Sequence, residues 1–145
     1  MPKLKLTLHP EYPALDPEIV PLVRVITAIG LPPVYACAGH EERSRGILQY
    51  AYPMVCMLLE PNDVRQAKCF RRLAEMLDIF DSCCHSRYDV AWMLRLVENQ
   101  QACHLWSLRP TDTGRPLREL HYGIRLLTDN LGLMDEWYTP IEDKD

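Results

Sequence analysis

The residues best suited to chemistry in this chain fall in one short run, Ala36-Cys37-Ala38-Gly39-His40-Glu41-Glu42-Arg43-Ser44-Arg45-Gly46. Cys37 supplies a nucleophile or soft metal ligand, and His40 a group that exchanges a proton near neutral pH. Between them, Gly39 permits a positive φ or a close backbone approach to a ligand. A turn built on such a glycine aims successive N–H groups into one anion-binding hollow. Arg43 and Arg45 add guanidinium forks matched to phosphate or carboxylate. Cys37, Gly39, His40, Arg43 and Arg45 are therefore the candidate binding set for a small anionic or nucleotide-like ligand.

The same residues admit three other readings. In the plainest, the run is a solvated connection in which Gly39 makes the turn and Cys37 packs inward. In another, the C-x-x-H pair Cys37 and His40 holds a metal together with Cys83, Cys84 and His85. Tetrahedral zinc takes four such donors at about 2.0–2.3 Å, but adjacent residues point apart more often than they converge, so no metal is assigned. In the third, Cys37 attacks a substrate with His40 or His85 as base, which requires a cation-stabilised thiolate. No third orienting group is identifiable, and no catalytic residue is assigned.

The surrounding pattern indicates what positions this run. Lys3 to Leu8 alternates with the period of a half-buried strand. Asp16-Pro17-Glu18 opens a helix whose apolar face is Ile19, Leu22, Val23, Ile26 and Ile29, with Pro21 delaying the regular turns and Gly30 and Pro32-Pro33 ending them. Val34 to Cys37 is extended, and Met54 to Leu59 is an apolar run suited to a strand covered on both faces. Pro61-Asn62-Asp63 caps a second helix with a stripe of Ala67, Phe70, Ala74 and Leu77, widened by Leu73 and Phe80. Tyr88–Val97 and Ala102–Arg109 alternate as a hairpin, placing Trp92 and Trp106 on neighbouring strands, where such a pair stacks a base or, more often, is core or cross-strand packing. A last helix carries Leu117, Leu120, Ile124, Leu127 and Leu131, with His121 beside the stripe and Gly132 as the expected cap. The expectation is one α+β domain over 1–132: a two-layer sandwich, its sheet mainly antiparallel or mixed, with three helices packed on one face. Residues 133–145 then form an acidic tail containing Trp137 and Tyr138.

Composition narrows the function classes. With 145 residues, 48% apolar content and a net charge of −4, the chain has the size and balance of a single globular domain. That charge lacks the basic excess that draws a phosphate backbone, so nucleic acid is not an expected partner. No run reaches the ~20 apolar residues of a membrane span. The opening Met1 to Pro10 is too short and too regular for a signal peptide, so a cytoplasmic location is expected. There, most of the six cysteines are small buried hydrophobes rather than a disulfide framework.

Tyr35-Ala36-Cys37-Ala38-Gly39-His40, after a helix and before a strand, resembles the S-C-x-G-H motif of short bacterial and phage proteins without a settled function. It is also similar, more distantly, to the T-S-S-C-S-G-R motif of the wybutosine-synthesis tRNA methyltransferase family. Cys37 and Gly39 match that second motif, whereas Ala36 and Ala38 stand in place of its serines and His40 in place of its arginine. The resemblance implies a small α+β domain with a nucleotide-type ligand, such as S-adenosylmethionine or an RNA base, near the loop. Two functions are expected. One is a small accessory protein of bacterial or mobile-element type that binds an anionic or nucleotide-like molecule at Cys37–Arg45. The other is a non-enzymatic interaction protein, such as a phage-encoded inhibitor of a host defence protein, acting through an open sheet face or the Trp137-Tyr138 ending.

Overall fold

A proline and a glycine delimit the first helix, α1 (Val20–Ile29). Pro21 occupies its opening turn, where a missing N–H breaks no ladder bond. Gly30 closes it at φ 112°, its N–H donating to the Thr27 carbonyl while the Leu31 N–H reaches the Ile26 carbonyl. This doubly bonded left-handed end is one that glycine adopts without steric cost. A Cβ on Gly30 would lie 2.7 Å from Cys69 Sγ, so the same residue lets the second helix approach.

The computed structural model describes residues 17–39, 43–44, 47–48, 52–83, 90–99 and 103–137. The expected strand at Lys3–Leu8 lies outside them, as do Asp16 and Tyr138. After α1 come β1 (Pro33–Cys37), β2 (Arg43–Ser44), β3 (Ile47–Leu48), β4 (Met54–Leu59), α2 (Val64–Cys83), β5 (Trp92–Asn99), β6 (His104–Pro110) and α3 (Leu117–Trp137). The main sheet has the order β1-β4-β6-β5, and every neighbouring pair is antiparallel. The short connection from β5 to β6 suits an antiparallel pair.

Register assigns the sheet's two faces. Val55 pairs with Leu108 and Met57 with Trp106, and on the next strand Leu94 also pairs with Leu108. Val55, Met57, Leu59, Trp92 and Leu108 meet Leu22 and Ile26 of α1, Leu73 and Met76 of α2, and Leu120, Ile124 and Leu127 of α3 in one buried core. All three helices therefore lie on one face, completing the expected α+β architecture. The other face carries a smaller cluster of Val34, Cys37, Met54 and Cys56, against which Tyr35, Tyr52, Leu58 and Leu105 pack. Toward β5 that face turns polar and exposed, through Arg95 and Glu98.

Three details depart from the sequence reading. The run after Gly39 contains a second, two-stranded sheet, Arg43 pairing with Leu48 and Ser44 with Ile47. In α2 the buried line is Cys69, Leu73, Met76, Leu77 and Phe80, with Ala67, Phe70 and Ala74 only half-buried. Apolar side chains that widen a stripe on one side make its centre ambiguous by about one position. Finally, α3 does not stop at Gly132 but continues as helix through Trp137, so residues 133–137 are not a tail. Arg72 holds this extra turn, its Nη2 lying 2.9 Å from both the carbonyl oxygen and Oδ1 of Asp135.

Packing supplies most of the energy that docks α3. Its four buried aliphatics, Leu120, Ile124, Leu127 and Leu131, contribute about 6–12 kcal/mol at the usual worth of a buried side chain. The charge-assisted contacts of Arg72 add on the order of 1–3 kcal/mol. Two glycines in this helix test the account with opposite signs. Gly123 abuts Val90, whose Cβ would be 2.8 Å from an added methyl, whereas Gly132 faces open space. Gly123→Ala should therefore lose about 1–3 kcal/mol, and Gly132→Ala should gain about 0.5–1 kcal/mol. Urea melts of the two variants against wild type check both, and a destabilised Gly132→Ala would mean that the helix ends at Gly132.

Candidate functional site

The turn after β1 is built around Gly39. Its φ of 89° is left-handed, as expected for a glycine there. Its N–H donates to Cys37 Sγ at 3.4 Å, closing a two-residue loop at the strand end. A Cβ at this position would lie 2.8 Å from Leu117 Cδ1 and 3.0 Å from the carbonyl carbon of Tyr52. The close approach that Gly39 allows is thus made by α3 and by the start of β4, not left to a ligand.

Ala38 is tied down as well. His121 Nε2 lies 3.0 Å from the Ala38 carbonyl oxygen. A carbonyl only accepts, so this contact places the imidazole proton on Nε2. His121 therefore clasps the turn to α3 rather than lying idle beside the core stripe. Nothing in local spacing signals this, because its partner is 83 positions away in the chain.

Of the candidate binding set, Cys37 and Gly39 are buried in this turn, and Arg43 contributes its backbone to β2. His40 and Arg45 lie outside the described residues, and so do Cys84 and His85. Cys83 stands exposed at the end of α2, near the start of β5. Two residues earlier, burial raises the Asp81 carboxyl above the usual range, opposed by the Trp92 backbone N–H and reinforced by Asp78. Since β1 and β5 are opposite edges of the sheet, about 14 Å of strand spacing separates Cys37 from that neighbourhood. Among the described residues, no three His, Cys, Asp or Glu side chains are grouped to hold a metal.

Two residues outside the candidate set adjoin the turn. Tyr52, whose backbone meets Gly39, is covered by Arg109, with Cζ 4.9 Å from the ring centroid and Nη1 3.4 Å from the phenol oxygen. The Arg109 Nε is buried and has no hydrogen-bond partner among the described residues. Alternation along β6 was a usable signal for Arg109, which shares a face with Leu105 and Ser107. Both strand tryptophans belong to the helix-covered side, Trp92 fully buried and Trp106 4.8 Å from Phe70. Neither is an open stacking platform for a base.

No helix among the described residues is long and apolar enough to cross a membrane. Comparison with protein families, with characterised proteins and with solved structures finds no match for this chain.

Cysteine chemistry gives a direct check on this geometry. Burial pushes the Cys56 thiol up to about 11, whereas Cys83 is exposed. A thiol titrating higher in the folded than in the unfolded chain stabilises the fold below the unfolded value of about 8.5 and loses that contribution as pH rises through 11. In native protein near neutral pH, alkylation followed by peptide mapping should modify Cys83 and spare Cys56. Stability should fall from about pH 8.5 upward, less so in Cys56→Ala. Rapid native labelling of Cys56 would contradict this placement.

Proposed function

We propose that the protein is a non-enzymatic interaction module that engages another folded chain through the outer face of α3. The supporting observation is an apolar line on the side of that helix opposite its buried stripe, in which Leu126 also packs against the edge of the core. Trp137 is 84% exposed, Tyr122 58% and Leu133 55%, and half-buried Leu126 lies between them. At ~100° per residue these four fall within an arc of about 60°, spread over ~22 Å of helix. Isolated surface leucines are ordinary, but aligned aromatic and aliphatic side chains mark contact surfaces. Tryptophan and tyrosine are also the side chains that carry most binding energy in such surfaces.

Tyr122→Ser, Leu133→Ser and Trp137→Ser combined should leave the fold intact, because none of the three belongs to the buried core. Pulldown with wild type and with this variant, read by mass spectrometry, tests the proposal. Partners retained by wild type should be lost by the variant, and an unchanged set would refute it.

One observation favours a second reading, an anionic or nucleotide-like ligand beside the Cys37–Arg45 run. Arg109 brings an uncommitted Nε donor next to Tyr52, which itself contacts Gly39. Titration calorimetry with adenosine monophosphate and S-adenosylmethionine should then give heat that Arg109→Gln abolishes. Absence of heat with wild type, or normal binding by the variant, removes this reading.

A further inference from the structure

We infer that the chain seated on the outer face of α3 is a second copy of this protein, packed antiparallel about a two-fold axis between Asp129 and Asn130. This rests on the interaction reading above and adds to it the partner's identity and its register.

The spacing of the apolar line is self-complementary. With the axis between Asp129 and Asn130, Tyr122 falls opposite Trp137 of the second copy, and Leu126 opposite its Leu133. The axis repeats both pairs, so each copy presents the same patch, as an isologous dimer requires. Each aromatic meets an aromatic and each leucine a leucine, which matches length to length along the seam. An unrelated partner would impose no such symmetry on positions 122, 126, 133 and 137.

Charge follows the same axis. On the wheel, Arg125 and Glu136 lie on one flank of the apolar line, about 40–60° from Tyr122. Both are exposed. In an antiparallel pair like flanks face each other, bringing Arg125 of one copy within about half a turn of Glu136 of the other. This ion pair also occurs twice. Asp129 is the discordant residue, because beside the axis its carboxylate approaches its own counterpart.

One helix per copy is a contact toward the lower end of the ~1,200–2,000 Å² of stable interfaces, so dissociation in the micromolar range is expected. The geometry also sets the sign of each substitution. Removing Trp137 strips both ends of the seam at once. Reversing Arg125 places like charges together, whereas reversing Glu136 as well restores opposite ones. Neutralising Asp129 relieves a repulsion.

Sedimentation velocity of the full chain between about 5 and 300 μM tests this, with circular dichroism to confirm folding. Wild type should pass from monomer to dimer across that range. Trp137→Ser should weaken the dimer about tenfold or more, and Arg125→Glu a few-fold. Adding Glu136→Arg to Arg125→Glu should restore wild-type affinity, and Asp129→Asn should tighten the dimer. A monomer at every concentration overturns the self-pairing; if pulldown partners are still lost with the triple serine variant, the face serves a different chain. A dimer indifferent to Trp137→Ser places the interface elsewhere. Failure of the double charge reversal to restore affinity refutes the register.

Discussion

The rotational setting of α3 against the sheet is the constraint on which the rest depends. Burial of Leu120, Ile124, Leu127 and Leu131 drives the helix onto the core. Burial alone tolerates some rolling of a helix about its axis. Three directional contacts along its length remove that freedom. Near the start, His121 bonds the Ala38 carbonyl; within the second turn, Gly123 admits Val90; at the far end, Arg72 grips Asp135. Each involves a different neighbour, so turning the helix breaks all three together. Their combined effect decides which residues face the core and which face outward.

The same setting governs the turn after β1. Leu117 occupies the space beside Gly39, and the turn's amide and carbonyl are both satisfied within the fold. A backbone hollow needs free N–H groups aimed at its ligand, and in the described part of this run the Gly39 N–H is already committed to Cys37. What the turn contributes is a firm junction between the edge strand β1, the start of β4 and the first turn of α3. Chemistry at this junction would fall to side chains around it, of which Arg109 is held by stacking on Tyr52. Tyr122, Leu133 and Trp137, exposed on the far side of α3, have no comparable internal role. That contrast is what supports the proposal of recognition through the helix.

Much of this architecture is legible in the residues, and the exceptions have physical causes. Alternation in Trp92–Asn99 and His104–Pro110, the apolar run Met54–Leu59 and the glycine stop at Gly30 all report local backbone preference, and each marks its element. Gly132 misleads because a glycine signals a cap only where tertiary contacts do not extend the helix, and here Arg72 and Asp135 extend it. The β2–β3 hairpin is hidden because two-residue strands leave no periodicity to detect. His121 and Arg109 are inconspicuous for a related reason: their partners are distant in sequence. In the candidate run, the positive φ of Gly39 is readable from its type, but Leu117 as the occupant of the neighbouring space is not.

Hydroxyl-radical footprinting of dilute protein, at about 1 μM and below the expected association range, addresses the setting of α3 most directly. The account predicts rapid oxidation of Tyr122, Leu133 and Trp137 with protection of Leu120, Ile124, Leu127 and Leu131. Equal modification of the two groups, or protection of Trp137 with exposure of Leu131, would contradict it.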